Sequence, residues 1–93
     1  MAKGARWLPA RLPAKLREIR LALGLSQSEM LQRLGAADEI TYHRISDYEL
    51  GKNEPPLSVL LSYARAAGVY VDVLIDDEQD LPDKLPAKTK RGK

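Results

Sequence analysis

From the twelfth residue onward, apolar side chains recur at three- and four-residue spacing. Leu12, Leu16, Ile19 and Leu23 form one helical stripe. Pro13 suits a first helical turn, where its missing N–H has no partner to lose, and Gly24 is a stop signal, so a first helix is predicted over Pro13 to Leu23. Ser26-Gln27-Ser28-Glu29 then has the S-x-x-E form of a capping box, in which hydroxyl and carboxylate each satisfy the other residue's backbone N–H. It opens a second helix carrying Met30, Leu31 and Leu34 and ending near Gly35. Ala36 to Ile40 reads as a connection. Thr41 is placed to cap a third helix, about Tyr42 to Leu50, with Ile45 and Tyr48 on its buried face and Gly51 as its stop.

Two prolines make Lys52 to Pro56 a loop. Leu57, Leu60, Leu61 and Ala64 then resume the helical stripe up to Gly68. Val69 to Ile75 alternates β-branched and polar residues and reads locally as a strand, yet the chain offers no second strand to pair with it. After Ile75 the chain becomes acidic, then proline-broken and basic, a composition that buries little apolar surface. The expectation is a single all-α domain over residues 12–76, a flexible basic arm over 1–11 and a disordered tail over 77–93.

Composition supports one domain and narrows its chemistry. Ninety-three residues close one modest core. With no Phe and one Trp, that core must be aliphatic. The absence of Cys excludes disulfides, thiolate zinc and a Cys nucleophile, and the single His leaves a metal site without partners, so no metal or cofactor is expected. Neither a signal peptide nor a membrane-length apolar run is present, which favours a cytoplasmic protein without membrane contact. The net charge of +2 conceals a segregation. Residues 1–20 hold six bases against one acid, residues 82–93 five against one, and the stretch between four against eleven. Basic ends flank an acidic middle.

Two short helices joined closely suggest a helix-turn-helix. Leu16-Arg17-Glu18-Ile19-Arg20, Gly24-Leu25-Ser26-Gln27, Ile45-Ser46-Asp47-Tyr48-Glu49-Leu50-Gly51-Lys52 and Pro55 resemble the XRE/Cro, phage-repressor-like family of helix-turn-helix regulators. The resemblance covers Leu12 to about Asp76. It implies a compact five-helix, lambda-repressor-like fold in which Val71 to Ile75 is a short closing helix. It also implies that the third helix enters the major groove of double-stranded DNA with its early residues at base edges.

On that pattern Thr41, Tyr42, His43, Arg44 and Asp47 fall at base-reading positions. Arg44 is the first choice, because a guanidinium can pair bidentately with guanine O6 and N7. Asp47 can only accept, from cytosine N4 or by orienting Arg44. Ser26, Gln27, Ser46, Lys52 and Asn53 fall at phosphate-contact positions, and Arg11 and Lys15, with Arg6, would extend the phosphate track from the basic arm. The resemblance makes Arg20 and Glu49 an internal ion pair.

Departures from the family pattern are specific. Thirteen residues separate Gly35 from Glu49, longer than the family's turn, with Ala36-Ala37-Asp38-Glu39 as the insertion. Leu50 replaces the family's common Asn. His43, Ser46 and Asp47 share one helical turn, which offers no pocket or oxyanion donors, so the chain is not expected to be an enzyme. The expected function is a transcriptional regulator, read as a repressor, binding a palindrome as a homodimer through helix four and Val69 to Ile75. The alternative on the same fold is a protein-interaction module, either an antitoxin masking a toxin or a bridging factor contacting the transcription machinery.

Overall fold

The computed structural model describes residues 9–36 and 40–86. Five helices follow one another: α1 (Leu12–Leu23), α2 (Gln27–Leu34), α3 (Tyr42–Leu50), α4 (Leu57–Ala67) and α5 (Val71–Ile75). Together they form the five-helix, all-α architecture, and no described residue is in a strand. Helix α3 packs against α1 and α2, while α4 lies against α1, α2 and α5. None of the helices among the described residues is long and apolar enough to cross a membrane.

The helix boundaries have local causes. Ser26 Oγ accepts the Glu29 N–H at 3.1 Å and Glu29 Oε1 accepts the Ser26 N–H at 2.8 Å, completing the capping box that starts α2. Thr41 is the N-cap residue of α3 in extended conformation, but its side chain makes no capping hydrogen bond, contrary to the sequence expectation. Gly51 ends α3 at a φ of +77°, a left-handed conformation that costs glycine little. A Cβ there would also sit 3.4 Å from Pro13 Cγ, so α3 ends where α1 begins.

The core is aliphatic with two tyrosines. Leu16, Ile19, Met30, Ile45, Tyr63 and Leu74 are fully enclosed, drawing on all five helices. At roughly 25 cal/mol per Å² of apolar surface removed from water, this shared interior is what holds such short helices together. Residues 69–75 resolve as Val69 and Tyr70 leading into α5, with Leu74 fully buried. Helix over strand is the outcome that leaves no unpaired strand edge. Ala37 to Glu39, within the insertion, lie outside the described residues. At its edges, Ala36 is buried and the Ile40 N–H donates to the Ala36 carbonyl at 3.1 Å, which brings the two ends of the connection together.

Two expectations are corrected on the side of the molecule where α1 begins. Residues 77–86 do not behave as a disordered tail: Leu85 is 2% exposed and joins the core, and Leu81 packs against it. Residues 87–93 lie outside the described residues. Lys15 is not a free base either, being 2% exposed, with Nζ donating to the carbonyls of Val73 at 2.8 Å and Asp76 at 2.9 Å. Its cation therefore sits at the C-terminal end of α5, where the carbonyl ends favour positive charge. Burial, with the nearby positive charge of Arg11 adding to it, holds its pKa below the usual lysine range.

Candidate nucleic-acid interface

Behind α3 lies a polar centre that fixes its position. Arg20 Nε donates to Glu49 Oε2 at 2.7 Å and Nη2 to Oε1 at 3.0 Å, a bidentate pair between α1 and α3. Arg20 Nη1 also donates to the Leu25 carbonyl at 3.1 Å, and Gln27 Nε2 reaches Glu49 Oε1 at 3.4 Å. The side chains of Arg20 and Glu49 are only 12% and 4% exposed, and the hydrogen bonding to Glu49 raises the Arg20 pKa further. One guanidinium thus ties α1, the approach to α2 and the last turn of α3. Close by, the fully buried Tyr63 hydroxyl of α4 has no hydrogen-bond partner among the described residues. Burial, with the negative charge of Glu49 adding to it, pushes its pKa well up.

The opposite side of α3 faces outward. Thr41, Tyr42, His43 and Arg44 are exposed, whereas Ser46 and Asp47 are half-buried. The rings of Tyr42 and His43 stack with centroids 4.3 Å apart and an interplanar angle of 27°. This face meets solvent at the start of a helix that packs on a capped α2. That is the geometry of a helix-turn-helix, in which the first helix braces and the second presents its early side chains.

A family model for a helix-turn-helix matches residues 16–74, well over half of the chain. The chain belongs to the XRE-type helix-turn-helix family. It is accordingly a DNA-binding protein of the transcription-regulator class. A hypothetical transcription factor from Neisseria, known from its crystal structure, has a similar fold, with a TM-score of 0.61 over 100% of this chain and 95% of that one at 24% identity. A search of curated proteins returned no significant match.

Within this helix-turn-helix the candidate residues divide by what they already do. The side chains of Arg44, on the first turn of α3, and Lys52, just beyond its end, are exposed and make no hydrogen bond or ion pair with any described residue. Both are uncommitted cations close to the outward face. Asp47 is engaged with Asn53 rather than Arg44: its Oδ2 accepts Asn53 Nδ2 at 3.1 Å, and its carbonyl accepts the Lys52 N–H at 2.8 Å. That pair stiffens the loop carrying Lys52. Ser26 is occupied by its cap and Gln27 leans on Glu49, which leaves Gln27 only in part available to a phosphate.

The basic arm is rearranged relative to expectation. Arg11 donates through Nη1 to the Asp77 carbonyl at 2.7 Å and through Nη2 to Asp80 Oδ1 at 2.6 Å, so it binds the protein's own C-terminal segment. With Lys15 buried, neither base stands free for a phosphate. Sequence reasoning missed Asp77, Asp80 and Leu85. The usable signal was Leu81 and Leu85, spaced four apart within an otherwise polar stretch. Elsewhere on the surface, Leu57 (83%), Leu61 (41%) and Tyr70 (84%) are exposed, and a groove between α4 and α5 is lined by residues including Leu61, Ala64, Gly68 and Tyr70.

Proposed function

We propose that the chain is a sequence-specific regulator that lays α3 in the major groove and reads bases through Arg44, with Tyr42, His43 and Thr41 beside it. The observation that carries this reading is the exposed, unspent Arg44 on the first turn of a helix whose back is locked by Arg20 and Glu49. A guanidinium held on a fixed helix can offer its donors to guanine O6 and N7 at low further cost in entropy. Lys52, on a loop braced by Asp47 and Asn53, is assigned to phosphate.

One such module reads few base pairs, so we place two copies on a palindrome with half-sites about 34 Å apart. The exposed apolar face of Leu57, Leu61 and Tyr70 is the surface assigned to the homodimer. Small residues in the adjoining groove, Ala64 and Gly68, leave room for a partner's Tyr70. Occupation of a promoter by such a dimer excludes the polymerase, so the regulatory effect is read as repression.

The test is binding of the full chain to the DNA upstream of its own gene, followed by anisotropy at several salt concentrations and by footprinting. The expected result is a two-fold symmetric footprint and an affinity that falls steeply between about 50 and 200 mM salt, as counterions released from phosphates dictate. Binding that is absent at low salt would overturn this reading. It would favour the protein-interaction alternative, in which the acidic middle of the chain makes the contact.

A further inference from the structure

We propose that the stacked rings of Tyr42 and His43 form a second specificity element of α3, an aromatic face that packs against the 5-methyl group of a thymine beside the base read by Arg44. The inference rests on the DNA-binding reading above and deepens it, naming a second base and the chemistry that selects it.

Helix geometry by itself does not produce this stack. Successive residues of an α-helix project about 100° apart, so neighbours in sequence do not face one another. Tyr42 and His43 are the first two residues of α3, yet their ring centroids lie 4.3 Å apart with the planes 27° from parallel. The two side chains therefore lean together across the head of the helix. They are not buried by doing so: Tyr42 remains 47% exposed, and His43 is exposed as well. Stacking covers one face of each ring and leaves the other to solvent. Each ring also restricts the other's rotation, so the exposed face is ordered before any partner arrives and less entropy is lost on contact.

The base edges in the groove decide the target. Guanine presents two acceptors there, cytosine and adenine present amino donors, and thymine presents a methyl group. The side chains of α3 match these unequally. Arg44 carries donors and no acceptor, which suits guanine. The two acids of α3 are both engaged, Asp47 by Asn53 Nδ2 at 3.1 Å and Glu49 by Arg20, so the amino groups of cytosine and adenine are the poorer match. An aromatic face has no directed acceptor, and its complement among the base edges is the thymine methyl. Tyr42 and His43 precede Arg44 by two residues and one, at most about 3 Å along the helix axis. Base pairs are about 3.4 Å apart. The thymine is thereby placed about one base-pair step from the base that Arg44 reads.

Replacing thymine by deoxyuridine removes this methyl and nothing else. The experiment takes the site footprinted in the DNA upstream of the gene and replaces each thymine within it, one at a time, by deoxyuridine. Affinity is measured by anisotropy for the full-length wild type, Tyr42→Ala, Tyr42→Phe and His43→Ala. Wild type is expected to lose about three- to five-fold at one thymine per bound copy of α3, the factor for burying one methyl group. Tyr42→Ala is expected to bind the unmodified site more weakly by at least the same factor and to show no further loss with deoxyuridine. Its melting temperature is expected to stay near that of wild type, because the ring is exposed. Tyr42→Phe, which keeps the ring and loses the hydroxyl, is expected to retain the deoxyuridine penalty. His43→Ala, which removes the other half of the stack, is expected to reduce it and serves if Tyr42→Ala does not fold. A penalty undiminished in both alanine variants, or lost in Tyr42→Phe, would overturn the proposal. So would a wild type that binds the site and is indifferent to every deoxyuridine, with base reading by Arg44 left standing. A wild type that binds no DNA at all would instead overturn the function proposed above, and this inference with it.

Discussion

Two arginines near the two ends of α1 each bind a carboxylate at almost the same distance, 2.7 Å for Arg20 on Glu49 and 2.6 Å for Arg11 on Asp80. Their surroundings differ. Side-chain exposure is 12% and 4% in the first pair but 45% and 83% in the second. Distance therefore does not rank them. In the enclosed pair neither charge can return to water if its partner is lost, whereas in the open pair water replaces the partner at little cost. The enclosed pair sets the position of α3. The open pair is the outer stitch of a segment that is held mainly by other means.

The sharpest way to break this comparison is Glu49→Ala, which strands the Arg20 guanidinium. It is expected to cost about 3–5 kcal/mol. In a domain of this size that lowers the thermal midpoint by more than about 10 °C, and an unchanged midpoint by calorimetry would contradict the ranking. Leu85→Ala comes next. It tests whether the C-terminal segment is held by apolar burial, and it is expected to cost near the lower end of the roughly 2–5 kcal/mol range, because an edge site collapses more readily than a centre. Chemical denaturation measures it.

Acid gives a third, smaller effect. The amides of Arg11 and Ala10 hold the Asp77 carboxyl below the usual aspartate range. A depressed folded-state value means that the stabilisation is complete above the unfolded value, about pH 4, and is lost as the pH falls through the lower folded one. Melts taken below about pH 4 should therefore fall more steeply for wild type than for Asp77→Asn. Asp80→Ala is the smallest change, about 0–1 kcal/mol and less at high salt. If it matched Glu49→Ala in denaturant melts, burial would not be what separates the two pairs.

What the sequence made readable and what it concealed follow the same division. Local rules exposed α1 to α4, because three-to-four spacing, the Ser26–Glu29 box and terminal glycines are all short-range signals. They failed at α5, whose five residues include Val71, Val73 and Ile75 and carry local β-propensity; only packing against α4 and α1 decides for helix. They also failed at Asp77, since a carboxylate that caps backbone amides 66 and 67 residues away leaves no local trace. Lys15 was partly legible: it stands three residues after Leu12, on the apolar stripe, and its charge drew attention from that placement. At the candidate interface, family spacing located Arg44 and Lys52. The structure was needed to show that they are free while Arg11, Lys15 and Asn53 are committed.

The most direct measurement compares wild type and Arg44→Ala on the upstream operator and on unrelated duplex at one fixed salt concentration. If α3 reads bases through Arg44, the variant loses about 1–3 kcal/mol on the operator, and with it most of the preference between the two DNAs, while its affinity for unrelated duplex falls far less. Equal losses on both DNAs, or none on either, would contradict base reading by Arg44.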